Sequence, residues 1–299
     1  MTFLATPRLA EWILRGGLVL SHCGYIAWMT LVIETPLMGW LWSHGDVGGL
    51  NLGESTAIMV QRAIAATMAV TLLLLLWRPW SVLLGLLFLF QLTWATAMSQ
   101  RLEGFPIDLV AWQDTFLAPV IDWLPYLFPY LTEAARISLP LVLWRVVVAL
   151  RADPASRGWS ASAEGIARIG VATTFAAHGI EALAHYPSFI DMLIISFRNL
   201  GFPSLSENSA TTLLTLIGTL DLVLALLVLT TRWPLIAGYM AFWGLTTAAA
   251  RITTRDFELG WIDTAIRAAH FAIPLVLVVW WMKAPRPTLE TPHISQDSA

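Results

Sequence analysis

Eight stretches of about 20 predominantly apolar residues recur along this chain, and they limit its possible folds more than any other feature. Wound as an α-helix, a stretch of that length crosses the hydrocarbon core of a bilayer. A mean hydropathy of +0.69, with 57% hydrophobic and 12% charged residues, is too apolar for a soluble globular domain. We therefore predict an all-α, polytopic membrane protein with transmembrane helices near 12–34, 56–77, 81–100, 131–150, 165–186, 210–231, 234–253 and 262–282.

The charge balance and the cysteine content exclude several classes of function. A net charge of −3, with Lys283 as the single lysine, provides no basic patch that could follow phosphates, so nucleic acid is not a predicted partner. Cys23 is the only cysteine, which rules out an intrachain disulfide and a Cys-x-x-Cys redox pair. No Walker loop, dinucleotide fingerprint, nucleophile elbow or His-Glu-x-x-His motif is present. A redox role would therefore need a bound cofactor or a partner protein.

The distribution of cations predicts how the chain is oriented. Eight spans place both termini on one side, and residues 1–11 lack the features of a cleaved signal peptide. By the positive-inside rule the termini are cytoplasmic and the protein is a multi-pass protein of the cytoplasmic (inner) membrane. The cations assigned to the cytoplasmic side are Arg8, Arg78, Arg145, Arg151, Arg157, Arg232, Lys283 and Arg286, against chiefly Arg101, Arg198 and Arg255 outside.

The outer connections 35–55, 102–130 and 187–209 are long, whereas the cytoplasmic turns are short. Segment 102–130 mixes tryptophan and tyrosine with four prolines, a composition typical of short helices lying in the membrane interface. The outer face therefore has the material for a ligand site, or for contact with another membrane or periplasmic protein.

The sequence also predicts an internal duplication. An offset of 153 residues aligns Arg15 with Arg168 and Gly17 with Gly170, and an offset of 134 aligns the segments 133–143 and 267–277. Because each copy has four spans, the copies share one orientation and form parallel repeats. The predicted organisation is a first four-helix unit (1–150), a cytoplasmic linker (151–163), a second four-helix unit (164–283) and a flexible tail (284–299).

Two spans of the second unit carry clustered ionisable groups. On a helix over 165–186, His178, Glu181 and His185 share one face, and on the last span Asp263, Arg267, His270 and Pro274 do so. His178 and His270 each lie eight residues inside an outer boundary, which is a depth of about 12 Å at 1.5 Å per residue. Equal depth suits a polar quinone or substrate site, a proton relay, a bis-histidine haem or an interhelical hydrogen bond. No fixed haem motif is present, which disfavours haem.

Arg251 adds a cation to the outer half of the seventh span, and Asp221 lies near the middle of the sixth. We predict an ion pair between Asp221 and Arg251 or Arg267, because an isolated carboxylate is costly at that depth. His22 and Cys23 offer two metal ligands with no third, so no metal site is predicted. In the first unit, Glu133 and Arg136 are predicted to pair on one helix. The predicted site comprises His178, Glu181, Arg251, Arg267 and His270.

The second unit resembles the DoxX family of four-span membrane proteins. The residues that carry the resemblance are Arg168, His178-Gly179, Pro187, Phe189, Gly201-Phe202-Pro203 and the helix GTLDLVLALLVLTTR over 218–232. The first unit is a degenerate relative, with Tyr25 at the position of His178. The tandem arrangement is also similar to that of the eight-span Surfeit-locus cargo receptor of eukaryotes.

The resemblance implies a diverse set of activities: membrane subunits of thiosulfate:quinone oxidoreductase, partners of redox-stress enzymes, and chaperone or cargo receptors. The first expectation is an integral membrane subunit or accessory of a quinone-linked redox system, with an outward-facing polar site. The alternatives are a non-catalytic receptor or assembly factor that binds a client protein through its outer loops, and a small-molecule transporter.

Overall fold

The computed structural model describes residues 8–32, 34–100, 123–255 and 257–282, and within them every regular element is helical. The predicted all-α class is confirmed. Of the predicted interface segment 102–130, residues 102–122 lie outside the described ranges, as do Lys283 and the tail 284–299. The helices are α1 (Leu9–Ala27, continued by a π-helical turn to Val32), α2 (Pro36–Trp42), α3 (Glu54–Trp77), α4 (Ser81–Gln100), α5 (Leu124–Thr132), α6 (Ala134–Ala152), α7 (Ala161–Leu183), α8 (Pro187–Asn199), α9 (Glu207–Thr230), α10 (Pro234–Thr254), α11 (Phe257–Ile266) and α12 (Ala269–Trp281).

Within the described ranges, three helices, α3, α4 and α9, are long and apolar enough to cross a membrane. The number rises to six if each of three bent pairs forms one span: α1–α2 (54°), α7–α8 (85°) and α11–α12 (45°). The structure thus gives three to six candidate spans, where the sequence predicts eight. Helix α6 is not among them, because its 19 residues include Arg136, Arg145 and Arg151.

Local sequence signals account for the helix boundaries. Ser160 caps α7 by accepting a hydrogen bond from the amide of Ala163, and Ser206 caps α9 in the same way from Ser209. Prolines begin α2, α8 and α10, where a missing backbone N–H costs nothing.

The helices of the two halves correspond in length and order. An offset of 153 residues carries Glu54–Trp77 onto Glu207–Thr230 (207 − 54 and 230 − 77), and it also carries the start of α4 onto the start of α10. In each half a short helix, α2 or α8, precedes this pair. A second short helix, α5 or α11, and then a Pro-containing helix, α6 or α12, complete the half. The two prolines, Pro140 and Pro274, are 134 residues apart (274 − 140).

The two halves interlock through their first and last helices. Helix α1 packs against α11 and α12 of the second half, and α7 packs against α5 and α6 of the first. A Cβ built on Gly17 would lie 2.6 Å from the Cβ of Ala272, and one built on Gly170 would lie 2.7 Å from the Cβ of Ser138. Both are helix crossings where only glycine fits, and at the offsets of 153 and 134 they are equivalent positions.

Replacing Gly17 with leucine is expected to force α1 away from α12 and to destabilise the protein by about 1–3 kcal/mol, the usual cost of overpacking. The neighbouring Gly16 has no atom within 4 Å of its built Cβ, so Gly16→Leu is the matched control. Thermal unfolding of both variants in detergent checks this. Equal unfolding temperatures for the two would show that the close crossing is absent.

The buried carboxylate of Glu164 connects four elements. Glu164, in the first turn of α7, has a side chain that is 3% exposed. It accepts hydrogen bonds from Arg232 Nε (2.7 Å), Trp281 Nε1 (3.1 Å) and Trp159 Nε1 (2.8 Å), and it pairs with Arg168 at 3.4 Å. Glu164 thereby joins α7 to the α9–α10 turn, to the end of α12 and to the linker.

Candidate functional site

A cavity of about 570 Å³ lies among α7, α8, α9, α10 and α12. This is within the usual size range of small-molecule pockets, which combine apolar walls with a few polar groups. Its walls are chiefly aromatic and aliphatic. The large apolar side chains in them include Phe175, Phe189, Met192, Phe197, Phe202, Leu214, Ile217 and Trp243.

The structure brings four of the five predicted site residues to this cavity: His178, Arg251, Arg267 and His270 all line it. Glu181 does not line it, but its carboxylate lies 2.6 Å from Nδ1 of His178. The imidazole rings of His178 and His270 are 5.5 Å apart between centroids. The first and last helices of the second unit therefore meet at the level of the two histidines.

Each of the two predicted polar faces is interrupted by a break in its helix. Helix α7 ends at Leu183, because Pro187 cannot continue it, and His185 adopts a positive φ of 52°. His185 consequently leaves the face of His178 and Glu181, and its Nε2 contacts Thr215 of α9 at 2.9 Å.

The last span is likewise broken between α11 and α12. At the break the amides of Arg267, Ala268 and His270 donate to carbonyls three residues earlier, and Pro274, inside α12, removes a further helical bond to the His270 carbonyl. Asp263 does not line the cavity and pairs with Arg255 at 2.9 Å, whereas Arg267 and His270 lie in the wall.

The predicted ion pair between Asp221 and an arginine is wrong. In the described part of the chain, neither Arg251 nor Arg267 has a carboxylate oxygen within 4.0 Å. The hydrogen bond of Arg267 goes to a backbone carbonyl, that of Asp263, at 3.0 Å. Both arginines therefore line the cavity with no described carboxylate in direct contact, while the charge of Asp263 acts on both at longer range. The expected pair of Glu133 and Arg136 in the first half does form.

Three polar atoms in the cavity wall lack hydrogen-bond partners. They are Asp221 Oδ1, Arg251 Nε and His270 Nε2, out of seven such buried side-chain atoms in the described ranges. A buried polar group without a partner costs about 1–3 kcal/mol. All three belong to residues that line one cavity, and this suits a site that is completed by a polar ligand.

The position equivalent to His178 in the first half is filled. Tyr25, at the position equivalent to His178, hydrogen-bonds to Glu133 and Arg136, each at 3.1 Å. Its ring packs on Trp94 with centroids 4.7 Å apart and on Phe90 at 5.3 Å. Trp94 corresponds to Thr247 and Phe90 to Trp243 at the offset of 153. Thus Tyr25 and Trp94 close the part of this region beside α1, and a smaller cavity of about 370 Å³ remains among α2, α3 and α4.

Helix α8 forms one wall of the cavity. Of its 13 residues only Ser196 is buried, and its hydroxyl lies 2.7 Å from that of Thr253 on α10. Asn199 also donates to the carbonyl of Thr253. In the sequence, the signal for this wall is the apolar character of 187–209 together with the resemblance residues Phe189 and Phe202, both of which line the cavity.

His22 and Cys23 do not meet as metal ligands. Nδ1 of His22 contacts the Leu18 carbonyl at 2.9 Å and its Nε2 faces Gln91, while Cys23 is exposed. Among the residues described, no three His, Cys, Asp or Glu side chains are grouped so that they could hold a metal ion.

Comparison with known proteins adds no further constraint on this site. No protein-family model, curated protein or solved structure matches the chain.

Proposed function

We propose that this chain is an integral membrane subunit or accessory protein of a quinone-linked redox system, and that the cavity binds the quinone headgroup. The single observation that supports this is that three residues with an unpartnered buried polar atom, Asp221, Arg251 and His270, line one cavity with apolar walls. A quinone combines two hydrogen-bond-accepting carbonyls with an apolar ring and tail. Arg251 and His270 can donate to a carbonyl, and the aromatic walls suit the ring.

In this proposal the chain crosses the cytoplasmic membrane eight times as two parallel, DoxX-like repeats with both termini in the cytoplasm. The corresponding helix bounds and the paired glycine crossings support the duplication. Electrons would be exchanged with another membrane or periplasmic protein, since the chain has no redox motif of its own.

Replacing His178 or His270 with alanine is expected to weaken binding of decylubiquinone by about 10- to 100-fold, the value of one or two hydrogen bonds to the ligand. Stability should change little, because hydrogen bonds between membrane helices average about 0.6 kcal/mol. Binding to the full-length protein in lipid nanodiscs is measured by equilibrium dialysis, and unfolding temperature is measured on the same samples. Tyr25→Phe, at the filled equivalent position, is the control and should bind normally.

Quinone extracted from the purified protein provides an independent check. Stoichiometric quinone supports the proposal. A protein that carries no quinone, does not bind decylubiquinone and repeatedly co-purifies with one polypeptide would instead be a receptor for that polypeptide.

A further inference from the structure

We infer that the cavity opens sideways into the bilayer between α9 and α10, and that its quinone carries a long apolar tail that leaves through this opening. The opening, which we call the lateral window, is bordered by Leu214 and Ile217 of α9 and by Leu245 and Thr246 of α10, all of which line the cavity. This inference rests on the proposed function, and it limits the ligand to lipid-soluble quinones that enter from the membrane.

Helices α9 and α10 each pack closely on a different neighbour. Gly218 of α9 lies against α7, where a Cβ built on it would be 2.6 Å from the carbonyl oxygen of Gly179. Gly244 of α10 lies against α12, where a built Cβ would be 2.4 Å from the carbonyl oxygen of His270. Glycine at such crossings lets the two backbones approach closely. The contact between α9 and α10 themselves is much less extensive, so a gap is left between the two close pairs.

The gap has a floor and a roof. Asp221 lies ten residues before the turn over 231–233 and Trp243 lies ten residues after it (231 − 221 and 243 − 233), so both are about 15 Å from the turn. At this level the Trp243 indole interacts with the Asp221 carboxyl and closes the gap. A further ten residues along α10, Thr253 contacts Ser196 of α8, and α8 also packs on α9. The lateral window therefore extends for about 15 Å between Trp243 and α8.

Residues of the cavity wall reach the protein surface at this window. Leu245 lines the cavity and is 48% exposed, and Thr246 beside it is also exposed. Leu200 and Phe202 follow the end of α8 that contacts α10, and they too line the cavity while being 58% and 57% exposed. The cavity is thus continuous with the surface beside α10.

The surface around the window is apolar. Within residues 208–254 the only charged side chains are Asp221 and Arg251, which belong to the cavity wall, and Arg232, which belongs to the turn. An exposed apolar surface of this kind marks contact with lipid or with another apolar chain. It suits the passage of an alkyl or isoprenoid tail and does not suit an entrance from water.

The polar side of the cavity lies opposite the window. The rings of His178 on α7 and His270 on α12 are 5.5 Å apart, so these two helices meet where α9 and α10 do not. A headgroup that contacts the imidazoles therefore directs its tail toward the gap between α9 and α10.

The first half has a gap at the same place. Its cavity of about 370 Å³ is lined by Ile64 of α3 and Thr93 of α4, which are equivalent to Ile217 and Thr246 at the offset of 153. Separation of this helix pair is thus a feature of both repeats. Only the second half combines it with two histidines.

Photolabelling tests the path of the tail. Full-length protein in lipid nanodiscs is irradiated with a decylubiquinone analogue that carries a diazirine midway along its alkyl chain, with and without excess decylubiquinone. Labelled residues are identified by peptide mass spectrometry. We expect labelling within 213–220 and 242–249 that excess decylubiquinone suppresses. Suppressible labelling confined to other segments would overturn the lateral window and leave the proposed function intact, whereas the absence of any suppressible labelling would overturn both.

A tryptophan in the window provides a second test. Thr246→Trp should weaken binding of decylubiquinone by about 10-fold or more and leave that of tailless 2,3-dimethoxy-5-methyl-1,4-benzoquinone unchanged, which also shows that the variant is folded. Thr219→Trp is the matched control and should bind both probes normally. Thr219 is exposed on α9 outside the cavity wall, and its hydroxyl, like that of Thr246, donates to the carbonyl four residues earlier. Normal decylubiquinone binding by Thr246→Trp, or an equal loss of both probes, would contradict the lateral window.

Discussion

Thr247→Trp is expected to reduce quinone binding by about 100-fold or more, because the indole would occupy the cavity. Thr247 lines the cavity on α10, and its equivalent in the first half is Trp94, which is 1% exposed and packs against Tyr25. The same fold therefore already accommodates tryptophan at this place in its other half. Equilibrium dialysis of the variant with decylubiquinone checks the prediction.

Leu235→Trp is the matched control, since Leu235 lies on the same helix and is 87% exposed. It adds the same side chain on the exposed surface of the protein, and the variant should bind decylubiquinone as the unmodified protein does. If Thr247→Trp unfolds at the same temperature as this control and still binds decylubiquinone normally, then the ligand site is elsewhere.

Glu164→Ala should destabilise the protein by about 3 kcal/mol, since removal of one partner leaves the others of a buried ionic cluster unpaired. Arg168, Trp281 and Trp159 would lose their shared acceptor, and α7 would lose its connection to α12 and to the linker. Glu164→Gln keeps an acceptor oxygen but loses the charge, so an intermediate loss is expected. Equilibrium unfolding in mixed micelles gives the free energies.

Glu207→Ala is the control for this experiment. Glu207 also lies in the first turn of a helix, α9, but it is exposed. Its contribution is limited to the helix dipole, about 0.3–1 kcal/mol. If the Glu164 and Glu207 variants lost the same stability, the cluster at Glu164 would have no special structural role.

Hydrophobicity alone was sufficient to predict helices over runs such as 56–77 and 210–231. In a membrane, a single apolar segment satisfies its backbone hydrogen bonds within itself only as a helix. The structure places these helices at Glu54–Trp77 and Glu207–Thr230. The spacing of His178 and Glu181 within one helix also predicted their contact, since residues three apart share a face.

Partners on different helices were harder to predict. Asp221 was expected to pair with an arginine, but the close contact of Gly179 with Gly218 brings it to the level of His178 instead. His185 was assigned to a helical face that ends before it. Both outcomes depend on where a helix crosses its neighbour or breaks, and hydropathy contains no information about either. The wall formed by α8 depends on the 85° bend after α7, which the sequence marked only by Pro187.

The interlocked packing of α1 and α12 has a topological consequence. These helices run antiparallel, with Gly17 against Ala272 and the Ser21 hydroxyl bonded to the carbonyl of Ile266. The start of α1 therefore lies beside the end of α12, just as the connection over 153–160 places the start of α7 beside the end of α6. By their contacts the helices form a closed ring. Two places in this ring are equivalent: between α6 and α7, which the backbone joins through 153–160, and between α12 and α1, which it does not join. A circular permutant that joins α12 to α1 and opens at 153–160 would retain every interhelical contact of the ring.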